Sequence, residues 1–326
     1  MKDQRRNLLL LAIAAPIIVA VCIFLGGDWK HPASLFAPEN SGVLQIRLWR
    51  VALGALIGAA LAVAGAGCQA VLRNPLAEPF SLGVASGGGL AIAAVFATGA
   101  ATSRWPLPAA GFAGAMITLA AVYRLARVHG RTAPHTLILA GVACGSLCNS
   151  VLMLVVSQSK AEGMHALLWW FLGDLQVYDR TLVLLVAAIM VPVAAAVFAR
   201  ARRLNALLLG DDAAAHLGLH SERERWIALL LAAALTACCV CISGIIGFVG
   251  LLVPHTARAL CGADHRRMLP AAALLGAIFI CIADGLGRTL LYPIEIPVGI
   301  FTALAGAPFF LRLLRQRQRE IWSGGT

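Results

Sequence analysis

The chain has 326 residues, 60% of them hydrophobic and 13% charged, with a mean hydropathy of +0.85. About half apolar is ordinary for a soluble domain, so a water-soluble globule of this length is excluded. The net charge of +11 would suit a nucleic-acid binder, but its distribution points to a membrane instead.

Each crossing of a bilayer takes roughly 20 apolar residues. Backbone groups in lipid must be satisfied internally, which makes these crossings helices. Ten are predicted, over 8–27, 48–70, 82–101, 106–126, 135–157, 166–199, 226–244, 245–261, 269–288 and 297–313. The sixth is one span preceded by a short interfacial helix. The expectation is an all-α polytopic membrane protein, a single transmembrane domain over 1–326. If the amino terminus is inside, 19 Lys and Arg face the cytoplasm and 7 (Lys30, Arg47, Arg50, Arg104, Lys160, Arg180, Arg288) face out. That bias is the one inserted helices carry, and it places both termini in the cytoplasm.

In chain order, Lys2, Arg5 and Arg6 before the first apolar run mimic a secretory signal, and the residues before Cys22 resemble a lipoprotein box. The run is long enough to span and has no convincing cleavage site, so an uncleaved first helix is expected. Gln45–Arg50 (QIRLWR) puts Arg47 and Arg50 where the second span enters the membrane. Arg73–Pro79 (RNPLAEP) then interrupts the chain, because Pro75 pushes Asn74 away from helix. Glycines at helix-packing spacing (Gly54/Gly58, Gly83/Gly87, Gly141/Gly145) predict close backbone approach between spans. Cys144 and Cys148 share a helix face, but the nine cysteines lie in or beside apolar runs and contain no CxxC, so they read as small buried hydrophobes.

Between 201 and 220 stands a polar insert, RRLNALLLGDDAAAHLGL, read as two short helices joined at Gly210. Gly210 suits a left-handed helix end, Asp211 or Asp212 an N-cap, and Gly218 a terminator. Leu207, Leu208 and Leu209 are expected to be exposed outside the bilayer, where apolar surface marks a partner interface. His255 reads as a packed histidine near the inner end of its span. Asp284 is either an intramembrane functional carboxylate or the i+4 ion-pair partner of Arg288. No GxxxxGK[ST] phosphate loop, HExxH or GxSxG motif occurs.

Taken together, QIRLWR, GAALAVAGAGCQAVLRNPLAEPFSLGVASG, LNALLLGDDAAAHLG, SGIIGFVGLLVPHTAR, GADHRRMLP, ADGLGR and EIPVGIFTALAGAPFFL resemble the permease subunits of type II ABC importers for iron–siderophore, haem and cobalamin. The resemblance implies two paired permeases, two cytosolic ATPases that bind ATP and Mg, and a substrate-binding protein. It implies no cofactor in this chain and no nucleic acid. By matching positions, Arg47, Arg50 and Arg288 would dock the binding protein, and Asn74 and Leu76 would form a cytoplasmic gate. Asn205, Gly210, Asp211, Ala214 and Gly218 would belong to the ATPase-coupling helices. This chain departs from the pattern at Pro134–His135, the second gate position, and at Trp49, where proline is common. Two rivals stand beside this reading. An ion-driven secondary transporter would require midplane carboxylates, and a membrane-embedded enzyme would require a nucleophile or metal cluster. Iron–siderophore is the expected cargo, ahead of haem and cobalamin.

Overall fold

The computed structural model describes residues 2–26, 35–98, 105–158, 168–176 and 179–323. Among the described residues, twelve helices carry the architecture. They are α1 (Lys2–Cys22), α2 (Ser41–Val71), α3 (Val84–Ala97), α4 (Pro106–Ala126), α5 (Pro134–Ser157), α6 (Arg180–Ala199), α7 (Ala201–Leu209), α8 (Asp211–His216), α9 (Ser221–Ser243), α10 (Val249–Cys261), α11 (His265–Thr289) and α12 (Val298–Ser323). Residues 168–172 are also helical, in line with the short helix expected before the sixth span. The all-α reading holds.

Among the described residues, seven helices have the length and apolarity to cross a membrane, and α3 and the apolar part of α12 are shorter. α10, with 13 residues, falls below the length of a full crossing. The expected spans 82–101 and 245–261 are therefore too long. α3 starts only after a 3-10 turn, Pro79–Leu82, and α10 starts only after non-helical backbone at 244–248. Within that break, Ile245 N–H donates to the Trp170 carbonyl at 3.2 Å and Asp174 N–H to the Ser243 carbonyl at 2.8 Å. The interruption is thus satisfied by protein, as irregular backbone at membrane depth requires.

α2 is the axis of the bundle. It is buried from Ala60 through Val71 and packs against α9, α10 and α11. Close approach is possible because glycines meet there: a methyl on Gly58 would overlap the Gly276 carbonyl, and one on Gly65 the Gly250 carbonyl. The expected pairs at Gly83/Gly87 and Gly141/Gly145 serve the α3–α4–α5 contacts in the same way, with Gly87 on Thr118 and Gly141 on the Ser81 carbonyl. Small residues let helix backbones touch where lipid supplies no hydrophobic drive.

One element has no counterpart among the sequence expectations. Arg127–Val128 and Arg131–Thr132 form a two-residue antiparallel hairpin, turning at His129 (φ 49°) and Gly130 (φ 80°). Two positive φ angles in succession are what a tight hairpin turn needs.

Candidate functional site

The insert after α6 folds as an elbow, α7–Gly210–α8. Successive side chains on a helix are about 100° apart, so three leucines in a row cannot all face outward. Leu204 and Leu207 are buried in the core, Leu207 being 2% exposed, while Leu209 is 71% exposed and Leu208 lies at the edge. The expected exposed triplet is corrected to Leu208 and Leu209, joined by Leu217, which sequence reading missed. Leu207→Ala should therefore cost fold stability, by about 2–5 kcal/mol. Leu209→Ala should leave unfolding in detergent unchanged. Equal unfolding temperatures for the two variants would contradict this placement.

Gly210 joins the helices at φ 116°, ψ 164°. This is an extended conformation open essentially to glycine alone, not the left-handed helical one expected. Neither aspartate caps α8 with its side chain, since Gly210 itself is the N-cap and both acids sit in the first turn. Gly218 ends α8 as expected, at φ 75°. Its N–H donates to the Ala215 carbonyl at 2.9 Å and that of Leu219 to Ala214 at 3.0 Å, a paired closure typical of helix ends. Ala214 is fully buried.

Asp211 is free of capping because it is occupied elsewhere. Its Oδ1 accepts from Arg73 Nη2 at 2.5 Å and from Arg225 Nη2 at 2.7 Å. Arg73 also donates through Nε to the Leu207 carbonyl at 2.8 Å. Arg73 stands at φ 47° just past α2, immediately before the expected gate residues. There the Leu76 N–H donates to Asn74 Oδ1 at 3.0 Å, so Asn74 shapes its own turn, and both residues are half-buried. One arginine thus fastens the loop of Asn74 and Leu76 to the elbow.

Two further ties hold the elbow. Asn205 donates to Asp264 Oδ1 at 2.8 Å and accepts the His265 N–H at 3.0 Å, which clamps α7 to the start of α11. The Arg266 N–H and then Asn205 hold the Asp264 carboxyl below the usual range. Arg203 donates to Glu224 on α9 at 2.6 Å. Asn205 is therefore a strut inside the chain. Pro134 and His135, at the second gate position, open α5, with His135 exposed. The His255 ring meets Phe309 edge-on at 5.6 Å, as a packed histidine would.

Glu78 lies in the same loop, residues 73–79. Its Oε1 is buried without a hydrogen-bond partner, and burial lifts its pKa to about 7 against the lowering effect of the Phe248 N–H. Phe248 is left-handed (φ 68°), uncommon for a bulky residue. An acid raised in the fold holds its proton between its ordinary pKa of 4.5 and about 7, where the unfolded chain has released it. The contribution of Glu78 to stability is thus fully present below the lower value and is lost across that window, by about 1.4 kcal/mol for each pH step of one. Thermal unfolding in detergent should show this slope in the native protein and a flatter one in Glu78→Gln. Parallel curves would refute it.

At the opposite end, Arg50 donates to Asp284 Oδ1 at 2.9 Å and to Glu295 Oε2 at 2.8 Å. Arg288 Nε lies 3.0 Å from Asp284 Oδ2, and its Nη2 donates to the Cys22 carbonyl at 3.2 Å. The Asp284–Arg288 pair is the structural alternative anticipated from their spacing. Arg50 and Arg288 were expected on an outer rim, yet their side chains are only 11% and 5% exposed. The reason is local: α2 begins at Ser41, so Arg50 lies more than two turns inside it, against α11. Arg47 is half-exposed beside Gly26. The Arg180 guanidinium sits 5.2 Å over the Trp49 ring, a cation–π contact. Lys30, Arg104 and Lys160 lie outside the described residues. No three His, Cys, Asp or Glu converge on a metal position among the described residues.

A bundle of apolar spans with a polar elbow strapped to a loop between them is the architecture of a polytopic membrane protein. The FecCD transport family profile matches residues 8–316. The Fe(3+)-citrate import system permease protein YfmE of Bacillus subtilis is 37% identical over 98% of this chain and 98% of its own length. The hemin transport system permease protein HmuU of Yersinia pestis is 39% identical (86% and 85%), and the cobalamin import permease BtuC of Halobacterium salinarum 40% (89% and 78%). A solved ABC transporter assigned to the metal-chelate type, in an inward-facing conformation, superposes with a TM-score of 0.85 at 30% identity, over 96% of this chain and 99% of that one. The chain belongs to the FecCD transport family, permeases of ABC importers, and is an inner-membrane protein.

Proposed function

We propose that this permease carries a metal chelate inward, an iron–siderophore first among the family's cargoes, as half of a homodimer with two cytosolic ATPases and a substrate-binding protein. ATP and Mg belong to the ATPases, and both termini lie in the cytoplasm. The carrying observation is the shared bonding of Asp211 and Arg73, which joins the elbow to the gate loop. In this reading Leu208, Leu209 and Leu217 seat in a groove of the ATPase, an apolar mode of helix docking. Elbow movement then draws on Arg73 and opens the path at Asn74 and Leu76.

The exposed face of α5 supports a second copy. It mixes Ser146, Asn149 and Ser150 with Val142 and Met153, a composition better suited to a protein or aqueous neighbour than to lipid tails. Arg47 makes the docking contact with the binding protein, while Arg50 and Arg288 hold that surface from below.

Reconstitution in proteoliposomes tests the proposal, with ferric siderophore, haemin and cobalamin offered in parallel. Uptake and ligand-stimulated ATP hydrolysis that require both soluble partners are expected, with the ferric chelate preferred. Uptake by the permease without any ATPase would favour an ion-driven carrier and overturn the reading.

A further inference from the structure

A cleft of about 730 Å³ opens between the end of α4, the start of α9 and the Arg127–Thr132 hairpin. Arg124, Arg127, Arg223 and His220 line it, with Tyr123 and Trp226. The two rings lie against each other at 4.1 Å with 40° between their planes. Arg124, Arg127 and Arg223 are exposed, and none of them forms an ion pair among the described residues.

Among the described residues, Glu222 is the one carboxylate of the lining, and it is already committed. It accepts from the Tyr123 hydroxyl at 2.7 Å, from the Thr132 hydroxyl at 2.5 Å and from Arg225 at 3.0 Å. The three outer arginines therefore present a net cationic cradle that no described residue neutralises. Above it the surface turns apolar. Ala113, Ile117, Ala120 and Ala121 are exposed along α4 before Arg124, at helical spacing, and Ile117 is 69% exposed. Guanidinium forks match phosphate oxygens, Trp and Tyr favour the headgroup level, and an apolar stripe running away from the charges suits acyl chains. An acidic protein surface would find the charges but would leave the stripe uncovered.

We propose that this cleft binds the phosphate headgroup of an anionic phospholipid of the inner leaflet, with the acyl chains along the outer face of α4. Basic pockets between spans on the cytoplasmic side are a recurrent form of such recognition.

Native mass spectrometry of the purified full chain, titrated with phosphatidylglycerol and phosphatidylcholine of identical chains, tests this. A preference of about tenfold for the anionic lipid is expected. It should vanish in the triple variant Arg124→Gln/Arg127→Gln/Arg223→Gln. It should return in large part with Lys at the same three positions, which separates loss of charge from loss of fold. A preference retained in the Gln variant overturns the proposal. So does release of the bound lipid by millimolar inorganic phosphate, which would make the cleft a site for the free ion. Selective capture of an acidic protein with no lipid preference would equally reject it.

Discussion

Arg73→Gln should abolish most uptake, by about tenfold or more, while leaving the ATPase bound and hydrolysing. The side chain is 31% exposed and its partner Asp211 is 49% exposed. An ion pair this accessible is worth about 0.2–1 kcal/mol, so the variant should unfold within a degree or two of the native protein. What it removes is a connection. Without the Arg73 bonds to the Leu207 carbonyl and to Asp211, the elbow keeps its packing on α2, α9 and α11 but loses its polar tie to the loop that carries Asn74 and Leu76, through which the proposed coupling would run. Asp211→Asn, which keeps one acceptor oxygen, should be milder than Asp211→Ala. Measuring uptake and hydrolysis on the same proteoliposomes settles it. If uptake stays at the native level in Arg73→Gln, the elbow and the gate are not linked through this residue.

Composition and period were enough to specify the long spans, because a bilayer admits only helices or closed barrels, but not the breaks before α3 and α10. The insert also stood out in the sequence, since polar residues bracketing leucines have no reason to lie in lipid. What could not be read was which side each of these residues would face. Leu207 and Leu209 are chemically identical, and only the packing of α7 on α2 and α11 decides that one is core and the other surface. Asp211 looked like a helix cap because caps are local; its actual partners come from 138 residues earlier and 14 residues later. Arg50 likewise has the look of a rim residue until α11 brings Asp284 to it across 234 residues. Long-range ion pairs leave no periodic trace, whereas i,i+4 pairs do, and Asp284–Arg288 was legible for that reason.

The same cluster sets the second large effect. Asp284→Ala should destabilise the fold by about 3–5 kcal/mol, because it strands charges that have left water. Among the described residues, Arg288 keeps only the Cys22 carbonyl, and Arg50 keeps only Glu295, which Gln176 also reaches at 2.8 Å. If the loss comes from uncompensated charge and not from a cavity, removing a cation together with the anion should give back much of it. The double variant Asp284→Ala/Arg288→Met is therefore expected to be more stable than Asp284→Ala alone. Arg288→Glu would face Asp284 across the i+4 spacing and should fail to accumulate, whatever its effect on the binding protein. Arg47→Glu should fold normally and weaken only docking, by an amount that grows as salt is lowered. Thermal unfolding of the single and double variants, measured side by side in one detergent, separates the two origins. A double variant no more stable than the single one would show that Asp284 acts through packing, and Arg288 would then regain its place as a docking residue.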